Sequence, residues 1–185
     1  MTRAAQGQGA CTLAVVNTKD APLTQVADLT IDIRAGRENS VAATKTFVTS
    51  ALALVILAAE LASDTDLLRS LATLPDALEA ATRTDWSVAA AAVRQAGSLY
   101  CLGRGAAWAI AGEAPPKFKE TAQIHSESYS SAEVMHGPLS IVHPGFPPLA
   151  FTAADAGAAV GLAVGPKTRA TRATGITTPP RTTGH

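Results

Sequence analysis

Three short apolar runs in this chain stop abruptly at polar or glycine residues: Leu13-Ala-Val-Val-Asn17, Leu29-Thr-Ile-Asp-Ile33 and Ser98-Leu-Tyr-Cys-Leu102. Continuous apolar runs of strand length suit strands buried on both faces, which is how parallel sheets are covered. Alanine- and leucine-rich stretches of helical length separate and follow them. Apolar residues make up 47% of the 185-residue chain and aromatic residues only 4%, a balance that favours close packing of helices on a sheet. The expected fold is α/β, a parallel sheet flanked by helices, with ligands held beyond the carboxyl ends of the strands.

The remaining elements follow from local patterns. Pro22 to Asp28 reads as a connector or short helix. Val41 to Ala62 reads as one long helix, apolar nearly all round and so expected to be largely buried. Ser63-Asp64 ends it and caps the next helix, Thr65 to Leu74. Further helices are expected from Pro75 to Thr82 and from Asp85 to Gln95. Gly103-Arg104-Gly105 follows the third strand directly and precedes a helix, a geometry that can present backbone N–H groups to an anion. A tight strand-to-helix turn explains the same residues. The helix should run to about Gln123 but meets Pro115-Pro116, and an interior proline costs ~3 kcal/mol. Either the helix breaks there or a new one starts. Ser126 to Ser131 reads as irregular, Ala132 to His136 as a helical turn, and Leu149 to Thr152 as a last strand.

Charge and cysteine usage exclude some classes. The chain has 15 basic and 15 acidic residues. Four of the basic ones, Lys167, Arg169, Arg172 and Arg181, fall in an end stretch that carries no acid, so the body is mildly acidic. No basic-aromatic stripe is present, and no nucleic-acid partner is expected. From Asp155 onward the pattern dissolves, and a disordered basic tail is expected over 155–185. Cys11 and Cys101 each adjoin an apolar run, fit no zinc or redox spacing, and read as buried thiols in a reducing compartment. No secretory signal pattern opens the chain. The longest apolar stretch, Ala51 to Ala59, is shorter than the ~20 residues of a membrane span. The expectation is a cytoplasmic protein with no membrane partner. Its four histidines, His125, His136, His143 and His185, form no ligand pair at i, i+4, so no metal is implied, and no cofactor either.

Two stretches carry proton-transfer chemistry: Glu38-Asn-Ser-Val-Ala-Ala-Thr-Lys45, and Lys117-Phe-Lys-Glu120 with His136-Gly-Pro138. Lys117 and Glu120 are i, i+3 and share a helix face, which describes a surface salt bridge as well as an active pair. His136 in its Gly-Pro turn and His125 are the candidate imidazoles; His143, before Pro144, reads as a loop residue.

Residues 35–47, Ala-Gly-Arg-Glu-Asn-Ser-Val-Ala-Ala-Thr-Lys-Thr-Phe, resemble the Ala-Gly-x-Glu-x-x-Val-Ala-Ser-Thr-Lys-x-Phe segment of the sugar isomerase (SIS) domain family. Leu102-Gly-Arg-Gly105, Lys117-Phe-Lys-Glu120 and the stretch from Glu127 to Pro138 match the same branch in order: the isomerase half of glutamine–fructose-6-phosphate aminotransferase and its deaminase relatives. The resemblance covers Leu13 to Thr152. It implies a SIS-type, flavodoxin-like sheet and parts of two subdomains, with residues 1–82 from the first and 83–154 from the second. The family's serine/threonine-rich phosphate loop has no counterpart before Leu13, and the end of the second subdomain is not recognisable, so the chain reads as truncated or frameshifted.

The resemblance also implies roles. Glu120 would carry a proton between C1 and C2 of a hexose 6-phosphate, and Lys117 would polarise the C2 oxygen or contact an imine. His136, from a neighbouring subunit, would open the ring. Glu38, Val41 and Ala43 would line the sugar, with Ala43 standing where the family often has serine. Gly103, Arg104 and Gly105 are further substrate-binding candidates. A homodimer is expected, with weak or no activity for the chain alone. Three readings stay open: isomerase half of the synthase, glucosamine-6-phosphate deaminase, and a non-catalytic sugar-phosphate-binding or dimerisation module. No glutaminase cysteine follows Met1.

Overall fold

The computed structural model describes residues 1–153, which form two compact units, Met1–Thr84 and a second unit that begins at Asp85. The basic tail and its expected disorder lie outside the described residues.

In the first unit, β1 (Leu13–Val16) and β2 (Leu29–Asp32) pair in parallel, Leu13 opposite Leu29 and Val16 opposite Asp32. A short helix α1 (Thr2–Gln6), which the sequence pattern did not suggest, precedes them. The Gln6 side chain donates to the carbonyl of Val26 at 2.8 Å and to Asp28 at 2.9 Å. Asp28 also accepts from the Thr12 amide and hydroxyl, each at 2.8 Å, and these bonds hold its carboxyl below the usual carboxylate range. The connector between the strands is a 3-10 turn, Pro22–Gln25.

Helix α2 (Thr44–Ala62) ends at Ser63 in the left-handed conformation. Asp64 then caps α3 (Thr65–Leu71), accepting from the Leu67 amide at 2.9 Å. Helix α4 (Leu74–Thr82) takes Pro75 in its first turn, where proline is tolerated. The expectation that the long apolar helix is largely buried does not hold. Of α2 only Ala59 is buried, and Leu61 is 81% exposed. An all-round apolar helix needs cover on every side, and the first unit offers only a two-stranded sheet and short helices. By length and composition alone, α2 is also long and apolar enough to cross a membrane. The apolar stretch read from the sequence stopped at Ala59 and did not count the flanking threonines and alanines that the helix includes.

The second unit is built on a three-stranded parallel sheet in the order β4-β3-β5. Helix α5 (Ser87–Arg94) leads into β3 (Ser98–Gly103). Its register runs from Ser98 opposite His125 to Gly103 opposite Ser130 on β4 (His125–Ser130), and Cys101 faces Leu149 on β5 (Pro148–Ala150). As the central strand, β3 is buried from Leu99 to Gly103, and its side chains serve two cores. Leu99 and Cys101 pack with Val93, Phe118 and Ile124; Tyr100 and Leu102 pack with Val134 and Phe146.

Two expectations need correction here. Residues 126–131 are not irregular, because most of them form β4. Its polar residues find partners: Ser98 Oγ lies 3.0 Å from His125 Nδ1, Ser126 donates to the Pro115 carbonyl at 2.9 Å, and Tyr129 donates to Glu127 at 2.8 Å. A satisfied polar strand has no apolar signal to find. Helix α6 (Ala107–Ala122) also runs unbroken through Pro115 and Pro116. Packing of buried Ala107, Ala111 and Pro115 on β3 and β4 keeps the helix continuous where local preference would break it. The thiols differ too: Cys101 is buried, and desolvation pushes it up to about 12, whereas Cys11 is exposed.

Candidate functional site

In the first unit, the segment after β2 folds back over the start of α2. Asn17, at the carboxyl end of β1, donates from Nδ2 to the Gly36 carbonyl at 2.6 Å. Its Oδ1 is buried without a partner among the described residues. Lys45 Nζ donates to the Arg37 carbonyl at 2.8 Å, and the Thr46 amide donates to Glu38 Oε1 at 2.8 Å. Ala43, the N-cap residue by position, has no side chain to bond the first-turn amides. Glu38 supplies that cap from upstream, and the Thr46 amide holds its carboxyl below the ordinary value. One carboxylate oxygen therefore already occupies the amide end of α2, where an anion would otherwise sit. The other oxygen, with exposed Val41 and half-buried Ala43, is what the loop can present to a ligand.

In the second unit, Gly103 closes the turn from β3 into α6. A Cβ there would stand 2.7 Å from both the Ala107 carbonyl oxygen and Ala111 Cβ, so only glycine permits this approach of helix to strand. Gly105 has φ +58°, also suited to glycine. Arg104 is exposed.

Helix α6 carries a ladder of three charges. Lys117 Nζ lies 2.8 Å from Glu113 Oε1 and 3.9 Å from Glu120 Oε2. The three side chains are only about a third exposed or less, at 27%, 26% and 34% for Lys117, Glu113 and Glu120. The sequence reading paired Lys117 with Glu120 and passed over Glu113. The signal was available, since Glu113 stands four residues before Lys117, the favoured orientation for an i, i+4 ion pair. The shorter contact orients the ammonium from Glu113, and the Glu120 carboxylate is held more loosely beside it. A carboxylate next to a fixed ammonium can take a proton from a carbon whose neighbouring oxygen the ammonium polarises.

The topology separates the other candidates from this ladder. Lys117 stands ten residues into α6, which places Gly103-Arg104-Gly105 roughly 15 Å away along the helix axis. Glu120 lies near the end of α6, just before β4 begins at His125. His136 closes a 3-10 turn, Glu133–His136, beyond the other end of β4. Six residues of strand span roughly 17–20 Å. Within one chain, then, Glu120 and His136 sit at opposite ends of β4. His136 is exposed and makes no hydrogen bond or ion pair among the described residues. His125 meets Ser98, and His143 turns its Nδ1 to the Pro144 carbonyl. No group of three metal-ligating side chains occurs among the described residues.

Comparison with known proteins finds similarity over most of the chain. Residues 92–164 match the SIS domain. The chain is 35% identical over 176 residues to a glutamine–fructose-6-phosphate aminotransferase (isomerizing) of Aeropyrum pernix, covering 89% of this chain and 28% of the relative. The corresponding protein of Pyrobaculum aerophilum is 39% identical over 153 residues, 78% of this chain and 25% of its own length. Among solved structures, a Silicibacter pomeroyi chain named as a phosphosugar isomerase superposes with TM-score 0.85 at 51% identity, covering 90% of this chain and 51% of that one. The C-terminal domain of glucosamine-fructose-6-phosphate aminotransferase from Francisella tularensis gives 0.76 at 27% identity, covering 88% and 49%. The chain thus spans about a quarter of the aminotransferases and about half of these solved chains. Residues 92–164 thus carry the match to the SIS domain, and most of the chain is similar to part of glutamine–fructose-6-phosphate aminotransferases and to solved phosphosugar-isomerase-like chains with parallel sheets flanked by helices.

Proposed function

We propose that the chain is a sugar-phosphate-binding SIS module whose chemistry is aldose–ketose isomerisation of a hexose 6-phosphate or its amino-sugar counterpart. The observation that carries this reading is the Glu113–Lys117–Glu120 ladder on α6. In it, Glu120 moves a proton between C1 and C2, and Lys117 polarises the C2 oxygen or meets an imine there. The imidazole of His136 protonates the ring oxygen to open the sugar. Because one chain holds Glu120 and His136 a strand's length apart, His136 acts in the site of a second copy. Glu38, Val41 and Ala43 contribute to the sugar-binding surface, and the Gly103–Gly105 turn with Arg104 offers amides and a cation to a second polar group. Homodimer formation follows from this division of labour, and the exposed apolar face of α2 supports association over exposure to water. A cytoplasmic location fits a module of sugar-phosphate metabolism.

Substrate binding and turnover by the chain alone should be weak. Charge-assisted phosphate contacts contribute ~1.5–3 kcal/mol each, and neither loop described above offers a set of them. Isothermal titration with fructose 6-phosphate or glucosamine 6-phosphate measures this directly; micromolar affinity would contradict it. The catalytic assignment is tested by deuterium uptake from D2O into C1 of fructose 6-phosphate and C2 of the aldose phosphate formed from it. Glu120→Gln and His136→Asn should each abolish uptake, and a mixture of the two variants should recover part of it. No recovery on mixing would refute the shared site. Release of ammonia from glucosamine 6-phosphate in the same preparation would shift the reading to a deaminase.

A further inference from the structure

We propose that Tyr100 is a positioning residue for His136: its hydroxyl, acting through the Pro138 carbonyl, fixes the turn that presents the imidazole. The proposal rests on the reading that His136 opens the sugar ring, and it adds to that reading a residue that touches neither substrate nor imidazole.

Tyr100 lies in the middle of β3 and is 2% exposed. Tyr129 and Phe146 both pack edge-on against its ring, with centroids 5.0 Å and 4.8 Å away and interplanar angles of 76° and 64°. A buried phenol needs a hydrogen-bond partner. Its hydroxyl donates at 2.9 Å to the carbonyl of Pro138, two residues after His136. Two residues before His136, Val134 is 1% exposed and packs in the same cluster as Tyr100, Leu102 and Phe146. The backbone is thus pinned on both sides of an exposed histidine.

The turn needs such anchoring. Gly137 has φ +158° and ψ −54°, a conformation side-chain-bearing residues rarely adopt. The 3-10 turn Pro138–Ile141 that follows is bounded by short-range bonds, Ser140 N–H to the Gly137 carbonyl at 2.9 Å and Val142 N–H to the Leu139 carbonyl at 3.1 Å. Burial and the Glu127 carboxylate raise Tyr100 above its ordinary value, so the phenol keeps its proton and remains a donor at neutral pH.

Tyr100→Phe keeps both aromatic contacts and removes only the hydroxyl. Amide hydrogen exchange at Ser140 and Val142 should then accelerate about five- to tenfold, while amides of β3 stay protected. The His136 Cε1–H resonance should shift in the same variant. Tyr129→Phe, which removes a hydroxyl bonded to Glu127, should leave Ser140, Val142 and the imidazole signal as they are. In the deuterium-uptake assay Tyr100→Phe should lower kcat about fivefold with KM moved less than twofold. Unchanged exchange at Ser140, or acceleration spread equally over β3, overturns the proposal. Isomerisation that survives His136→Asn would sink the ring-opening reading instead, and the exchange result for Tyr100→Phe would still stand or fall by itself.

Discussion

Replacing Pro116 by alanine should stabilise the second unit markedly, and the structure sets the size of the effect. Helix α6 stays continuous across Pro115-Pro116, so the carbonyls of Ala111 and Gly112 lack the amides that would normally bond them four residues on. An interior proline costs ~3 kcal/mol against alanine. The wild-type proline also restricts the unfolded chain, which returns ~0.4–1 kcal/mol. Pro116 is half-buried, so truncating its ring gives up less packing than truncating that of buried Pro115. The net gain for Pro116→Ala is about 2 kcal/mol, or roughly 8–16 °C in Tm for a unit of this size. Pro115 is buried. Truncating it to alanine removes two ring carbons from the core, at ~0.8 kcal/mol each plus a cavity term, which offsets most of the backbone gain. The predicted order is Pro116→Ala well above Pro115→Ala. Both tryptophans, Trp86 and Trp108, lie in the second unit, so thermal melts followed by tryptophan fluorescence report on it alone. A Tm for Pro116→Ala within a degree of wild type, or the reverse order of the two variants, would refute this account of how the helix tolerates its prolines.

Further outcomes follow from other sites. Gly103→Ala should cost about 1–3 kcal/mol by fluorescence-detected urea unfolding, because the new methyl meets the Ala107 carbonyl and Ala111 Cβ at 2.7 Å; an unchanged midpoint would show that α6 can shift aside. Ellman's reagent should label Cys11 at once and Cys101 only on unfolding, since the first is exposed and the second is buried with its thiol at about 12. Glu38 is the cap of α2, and its carboxyl is held below its ordinary value by the Thr46 amide. Its stabilisation is therefore complete above the unfolded value and is lost as pH falls through the lower folded one. Exchange of the Thr46 amide, taken relative to its intrinsic rate at each pH, should rise as acidification protonates Glu38 in the wild type. In Glu38→Gln it should be faster at neutral pH and flatter with pH; identical profiles would argue against the cap.

Much of the architecture could be read from the residues. The apolar runs ending in Asn17, Ile33 and Gly103 marked three parallel strands, although the two-sided burial such runs suggest holds only for β3, and β1 and β2 keep exposed positions. The spacing of Lys117 and Glu120 placed them on one helix face, and Asp64 announced the start of α3. Strand β4 was not legible: its residues are polar, and their hydrogen bonds to Ser98, to the Pro115 carbonyl and to each other exist only once the sheet has formed. Nor was the path of α6 through two prolines, where packing on the sheet outweighs a local preference that sequence reasoning weighs alone.

The candidate site divides along the same line. Residue identity determines which groups can move protons and which loop can cap a helix, because these depend on side-chain chemistry and on spacing within one element. Tertiary structure decided that Glu38 spends one oxygen on Thr46 and that β4 keeps Glu120 and His136 apart within a chain. Each of those facts depends on distances between atoms whose approach is set by the packing of whole elements, and no local pattern encodes them.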